Sequence, residues 1–415
     1  MRYRVIAAVV AALALGVVVA TTASASTKSH TLVVWLQVDA QSGWPTVVAN
    51  ANTAFENANP GWNVDVQYQT WGNHLQNFDA TIAGNNVPDV IELGNTEMTK
   101  YMAAGAFANI TPYKASFANS SHWLAGLAKS STYNSKLMGV PYYAGSRLVT
   151  YRTDLFKKAG IKALPKSLAT FETDLGKVAT KSGKHPSGFK PFYQAGTDWY
   201  SALSFLFDYG GNIASLSKGK WVGQLESAKS IAGLTAYKAF FSKYSPHSAA
   251  TLNEANPAPY TVFSNNKTGA IFGPGWFSCC TGAAYKTVTA QFVMPSHVSG
   301  KAMPGFLGGS DLAVPQQGHQ QAQARQWIGF FTNTANEKAM QAKGNIPNAT
   351  NLLDGSVNDQ AAKSSWFVPT AKHWVDVENA NTLRVMLSDI LTGHKSVKAA
   401  AHSADTAIAH ILNQP

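Results

Sequence analysis

Bond-breaking chemistry has little to work with in this chain. It carries 22 Asp and Glu among 415 residues, and glycoside cleavage needs two carboxyls held about 5–10 Å apart. Glu92, Glu97, Asp198 and Asp311 are acidic candidates, yet no spacing in the sequence pairs them. Gly308-Gly309-Ser310-Asp311 imitates a nucleophile turn only superficially. HExxH, GxSxG and P-loop motifs are absent, and the 11 His residues are scattered without metal-ligand spacing. These residues predict no catalytic group, no metal and no cofactor.

Aromatic rings set beside small or amide residues offer a different chemistry. They include Trp44, Trp71-Gly72-Asn73-His74, Gly94-Asn95-Thr96-Glu97, Tyr142-Tyr143-Ala144-Gly145, Asp198-Trp199-Tyr200, Gly275-Trp276-Phe277, Trp366 and Trp374. A pyranose presents an apolar C–H face and a rim of hydroxyls. Rings stack on the face, while carboxylates, amides and Arg bond the rim. Trp35 and Trp62, inside strand patterns, read as core; glycine-flanked Trp276 reads as a ligand contact. The two cysteines, Cys279 and Cys280, are adjacent. In an oxidising compartment their only intramolecular disulfide is a vicinal one; two free thiols or an intermolecular bridge are the alternatives.

Positioning these groups requires a scaffold, and the hydrophobic pattern supplies one. Residues 31–38 form a β-rich apolar run, followed by helical spacing at Val47, Val48, Ala51, Ala54, Phe55 and Ala58. Trp62, Val64, Val66 and Tyr68 alternate as a second strand. Leu75, Phe78 and Ile82 mark a second helix, Val90, Ile91 and Leu93 a third strand, and Met98 and Met102 a third helix. The order β-α-β-α-β-α predicts an open parallel sheet with helices on both faces. Ligands bind beyond the carboxyl ends of such strands, which places residues 39–44 and 94–97 at a mouth. Residues 138–152 are β-rich and broken by Pro141 and Ala144-Gly145. Helices are expected over 168–180, 199–209 and 231–244, extended pieces at 261–263 and 270–272, and an irregular Gly/Pro-rich stretch over 273–310. Three helical segments follow, over 322–331, 380–391 and 397–412.

Composition narrows the setting. Only 13% of residues are charged, against about 25% in ordinary soluble domains. The net charge of +11 forms no dense stripe, so nucleic acid is not expected as a partner. Residues 1–25 read as a secretory signal: Arg2 and Arg4, an apolar run over 5–20, then Ala23-Ser24-Ala25. The run is shorter than the ~20 residues of a spanning helix. An exported protein is expected, extracellular, at the cell surface or periplasmic, with no lipobox cysteine.

Several stretches resemble a known family. Residues 35–101, 139–161 (GVPYYAGSRLVTYRTDLFKKAGI), 263–276 (FSNNKTGAIFGPGW), 306–315 (FLGGSDLAVP) and 389–404 (DILTGHKSVKAAAHSA) are together similar to extracellular solute-binding proteins of bacterial sugar ABC transporters. The nearest flavour is the actinobacterial type assigned to chitobiose, cellobiose or xylobiose. The resemblance implies an α/β, two-lobed, maltose-binding-protein-like fold of periplasmic-binding type II, each lobe a doubly wound sheet flanked by helices. It implies lobes of 26–145 plus 274–313 and 146–273 plus 314–415, with crossings at 143–149, near 272–276 and near 311–315. Sugar contacts carried over are Asp39, Gln41, Asn95 and Glu97 in the first lobe, with Trp44 and Tyr143 beside them and Trp71 and His74 weaker, since their helix would serve to support the cleft. Trp199 and Tyr200 would contact from the second lobe, Trp276 from the second crossing, Gly309, Ser310 and Asp311 along the cleft, and Trp366 from the C-terminal helices. A Cys279–Cys280 disulfide would offer a flat apolar surface to a sugar face. The implied partners are a neutral oligosaccharide and the permease subunits of an importer, with a monomeric receptor between them. A secreted glycan-cleaving enzyme and a receptor for peptides or acidic solutes are the competing readings.

Overall fold

The computed structural model describes residues 30–415; the expected signal over 1–25 lies outside the described residues. The opening strand is His30–Gln37, whose Leu32, Val34, Leu36 and Gln37 are buried. Pro45, at the first turn where its missing N–H costs nothing, starts the helix Pro45–Ala58. Trp62–Gln69 pairs in parallel with the first strand, and so does Val90–Gly94. These three strands belong to a six-stranded mixed sheet. Its order is Ile346–Pro347, Gly139–Gly145, Gly308–Ala313, Val90–Gly94, His30–Gln37, Trp62–Gln69. Gly308–Ala313 runs antiparallel to both of its neighbours.

The second sheet is small. Arg147–Arg152 is its centre, flanked antiparallel by Ala270–Pro274 and Thr289–Phe292. The helices Leu168–Lys181, Trp199–Asp208, Ala228–Tyr244, Thr382–Thr392 and Val397–Leu412 surround it. Phe171, Phe192, Phe205, Phe240 and Ile271 are buried in their common core. Residues 261–263, expected as extended, belong to the helix Pro259–Ser264, where proline again opens the first turn.

Hydrophobic cores divide the chain between the lobes. The first crossing is a single residue: Gly139–Gly145 lies in the large sheet, Arg147–Arg152 in the small one, and Ser146 joins them. The second does not fall near 272–276. Beyond that point Phe277, Phe292, Met294, Met303 and Phe306 still pack in the second core, and the chain passes into the large sheet only at Gly308–Ala313. Nor does the second lobe resume at 314. Ala324, Trp327, Ile328 and Phe331 of the helix Gln321–Phe331 pack in the first core, and the Trp327 indole donates to Asn52 at 2.9 Å. Return comes before Trp366, where Ser365–Trp366 pairs with Gly305–Phe306. The Gly/Pro-rich composition of 273–310 hid this, because a core built from widely spaced aromatics leaves no periodicity. Ala144, Leu307 and Ala362, one from each crossing, are buried together with Leu124, Leu127 and Ile346. The crossings thus share one apolar seal.

Candidate functional site

On the first lobe, the wall of the cleft stands at the carboxyl ends of the parallel strands. Asp39 lies on a short helix, Val38–Gly43, that follows the first strand directly. Its Oδ2 accepts from the Trp71 indole N–H, which fixes that ring although it is 41% exposed. His74, at the start of the helix His74–Ala83, lies edge-on to Trp71 with centroids 5.2 Å apart. Its Nδ1 faces the Trp71 carbonyl at 3.0 Å and its Nε2 faces Glu97 Oε2 at 2.9 Å. Both nitrogens therefore meet acceptors. Burial pulls the imidazole pKa down, but the hydrogen bond and charge of Glu97 outweigh it and the net shift is upward. Glu97 Oε2 also accepts from the Gly94 N–H at 2.8 Å, leaving its other oxygen for a ligand. Gln41 is exposed on the same short helix.

Other expected contacts are packed against the protein's own groups. Trp44 is buried beside Tyr142 and Tyr143. The Asn95 amide is spent on the Leu307 carbonyl at 2.9 Å, and its backbone N–H on the Gly309 carbonyl; Asn95 ties the loop to a crossing. Gly309 lets two strands approach: a Cβ there would stand 2.0 Å from the Tyr143 carbonyl oxygen. Ser310 is buried and donates to the half-buried Tyr143 hydroxyl at 3.4 Å. Asp311 is fully buried, and among the described residues neither carboxyl oxygen has a partner at hydrogen-bond distance; burial pushes its pKa up to about 8 against the opposing influence of the neighbouring Ser130 hydroxyl. It sits beneath the cleft, because its strand is interior to the sheet. Nearby Glu92 is also buried; burial lifts it to about 7 against the hydrogen bond that it accepts from the Gln37 N–H.

In the second lobe, Asp198 caps the helix Trp199–Asp208 and accepts from the Ser201 N–H. Trp199 is buried in a cluster with Phe306, Trp366 and Trp374. Trp366, expected to stack on ligand, is buried too: it lies 4.5 Å from Phe207 and donates to Ser204. What reaches the surface is Tyr200, stacked on Trp199 at 3.8 Å. Trp276 is 55% exposed beside Tyr260. Tyr200, Tyr260 and Trp276 line a cavity of about 390 Å³ with Arg147, Asp198 and Glu254. Arg384 holds Glu254 by two hydrogen bonds of 2.7 and 2.8 Å. Burial and then the Glu254 charge push Asp198 up to about 6.

The two walls sense each other. Burial raises Glu378 to about 8, and the charge of Glu97 from the opposite lobe adds to the rise. The Glu378 Oε1 accepts from the Trp374 indole at 2.5 Å. Arg147, Glu254, Arg384 and Glu378 were not singled out from sequence. Arg147 did carry a signal, since it follows the strand break at Ala144-Gly145; the other three come together only through tertiary packing. Cys279 and Cys280 form a disulfide on the turn Gly275–Cys280 that carries Trp276. They are not among the cavity's lining residues, so they support the tryptophan's turn rather than provide a platform in that cavity. Among the described residues no group of three or more His, Cys, Asp or Glu could hold a metal ion. No described helix is long and apolar enough to cross a membrane.

Two α/β lobes joined by three crossings define a fold of the periplasmic-binding type II class. Residues 37–338 match the model of the bacterial extracellular solute-binding protein family, and the chain belongs to that family. It is 28% identical over 349 residues to the diacetylchitobiose binding protein DasA of Streptomyces coelicolor, covering 81% of this chain and 80% of that one. A maltooligosaccharide ABC transporter solute-binding lipoprotein of Streptococcus pneumoniae is 25% identical over 68% of this chain and 67% of its own. The fold is shared with the sugar-binding protein MalE of Xanthomonas citri (TM-score 0.79, 20% identity, 92% of this chain and 97% of that one). It is shared also with the GacH receptor of Streptomyces glaucescens (TM-score 0.75, 18% identity, 93% and 99%). These are binding proteins, and the chain is a binding protein, not an enzyme.

Proposed function

We propose that this protein is the extracytoplasmic receptor of an ABC importer. It captures a neutral di- or oligosaccharide of cello-, xylo- or chito-type between its lobes and delivers it, as a monomer, to the permease. The observation that carries this reading is the pair of exposed indoles on opposite lobes, each set among hydrogen-bonding groups. Trp71 stands with Asp39, His74 and Glu97, and Trp276 with Tyr260, Asp198 and Arg147. Rings for the sugar face and charged or carboxyl groups for its rim are the two things a pyranose asks for. The relatives named for diacetylchitobiose and maltooligosaccharide favour the same ligand class. Asp39, Gln41, Trp71, Glu97, Tyr200 and Trp276 are the proposed ligand contacts, with Tyr143 at the floor.

A thermal-shift and calorimetric screen tests the reading. Cellobiose, xylobiose, diacetylchitobiose and maltose are compared with uronates, amino acids and short peptides. A ligand that prefers the closed state stabilises it in proportion to its concentration over Kd. Stabilisation by a neutral saccharide is expected. Stabilisation by anions or peptides alone would assign the cleft to another solute class.

A further inference from the structure

Arg147 stands out among the polar groups of the cleft. Arg152 is held by Asp154 and Asn266, and Arg384 by Glu254 and the Thr197 carbonyl. Arg147, in contrast, has a buried Nε with no hydrogen-bond partner among the described residues, and none of their carboxylates lies within ion-pair distance. Its guanidinium lies over two rings, 5.3 Å from the Tyr200 centroid and 5.4 Å from that of Phe306. Burial lowers its pKa, and Asp198 opposes that fall. A desolvated cation without an ionic partner is costly, and cation–π contacts with two rings replace only part of its hydration. Arg147 is itself part of the cavity wall.

The cavity also constrains what can answer the guanidinium. Asp198 and Glu254 already place two carboxyls around Arg147, so an anionic substituent would meet like charge. A guanidinium only donates; a hydroxyl can accept from it but brings a proton that needs an acceptor of its own, whereas a carbonyl only accepts, which makes a neutral carbonyl the better-matched group. The remaining walls, Ala255, Ala258 and Phe277, are apolar and suit a methyl. A volume of about 390 Å³ is near the lower end of small-molecule sites, ~300–1,000 Å³, and fits one ring with its substituents.

Building on the saccharide reading above, we propose that the Arg147 cavity is the subsite for an acetamido substituent. The carbonyl oxygen accepts from Arg147 and the methyl lies on the alanine side of the cavity. The receptor then prefers an N-acetylated amino sugar over the plain glucan of the same linkage.

Calorimetry with diacetylchitobiose, cellobiose and the disaccharide of cellouronic acid, on wild type, Arg147→Lys and Arg147→Met, tests this. Loss of a hydrogen bond to a charged group corresponds to about 10- to 100-fold in affinity. Wild type should prefer diacetylchitobiose over cellobiose by at least about tenfold. Arg147→Met should collapse that ratio towards unity. Arg147→Lys keeps the charge and guards against a folding defect; it should retain part of the preference. Equal wild-type affinities for the two neutral disaccharides, or a ratio that survives Arg147→Met, would overturn the subsite while leaving the saccharide reading intact. Preference for the uronate would overturn it in favour of an anion site. If no saccharide binds at all, the receptor reading itself falls.

Discussion

At the scale of single residues, the aromatic side chains separate into walls and foundations. Trp71 and Trp276 present exposed rings, whereas Trp199 and Trp366 are buried within the aromatic core beneath Tyr200. The two groups should fail differently when truncated. Ring stacking contributes about 0.5–1.5 kcal/mol beyond area burial, and 1.4 kcal/mol is about tenfold in affinity. Trp71→Ala and Trp276→Ala should therefore each weaken saccharide binding by about tenfold or more, with melting temperature nearly unchanged. Trp199→Ala and Trp366→Ala should instead lower stability by about 3–5 kcal/mol, as large-to-small core changes do. Titration calorimetry beside chemical denaturation separates the two outcomes. An unchanged affinity in Trp71→Ala would remove it from the wall.

Elements explain why some of this was legible in the sequence and some was not. The parallel strands of the first lobe carry a strong local pattern, so their order and the positions of Asp39 and Glu97 at their ends could be read directly, whereas Trp71 stood only as a weaker candidate. The helix Val397–Leu412 was likewise plain from its spacing. Crossings are the opposite case. Gly308–Ala313 takes its place between Val90–Gly94 and Gly139–Gly145 by long-range pairing, and nothing near residue 308 announces it. Asp311 was placed along the cleft by the family resemblance, yet it is fully buried on a strand paired on both sides. Trp366 looked like a stacking ring for want of any signal that Phe207 and Phe306 would enclose it. Gly309 makes the crossing testable. A methyl 2.0 Å from the Tyr143 carbonyl oxygen meets backbone, which cannot rotate away, so the strands must part. Gly309→Ala is expected to destabilise by about 1–3 kcal/mol, the range for overpacking, and to weaken saccharide binding, since Asn95 anchors on the same strand. A melting temperature equal to wild type would show that the strands do not approach so closely.

Across the whole molecule, buried carboxyls set how stability responds to pH. Glu92 is raised to about 7, and Asp311 and Glu378 to about 8, each chiefly by burial; Glu337 is raised as well. All four bind protons more tightly folded than unfolded. Between the unfolded carboxyl pKa, about 4, and these folded values, the native state holds the extra protons. Unfolding then becomes easier as pH rises. The contribution is complete below the unfolded pKa and is lost as pH climbs through about 7 for Glu92 and about 8 for Asp311. One pKa unit corresponds to ~1.4 kcal/mol, so Glu92 alone accounts for roughly 3 kcal/mol across that window. His74, raised by Glu97, acts in the same direction, its stabilising charge disappearing as pH rises. Glu254 and Asp154 are depressed by Arg384 and Arg152 despite their burial. Their stabilisation is lost only as pH falls below the ordinary carboxyl range, about pH 4, outside the window. The melting temperature of the unliganded protein should thus be higher at pH 5.5 than at pH 8.5. Asp311→Asn, which removes the charge without changing the shape, should flatten the decline throughout the window from about pH 5 to about pH 8 and leave the profile above it unchanged. A melting temperature that rises from pH 5.5 to 8.5, or an Asp311→Asn profile parallel to wild type, would mean that these carboxyls reach solvent or a partner in the folded protein.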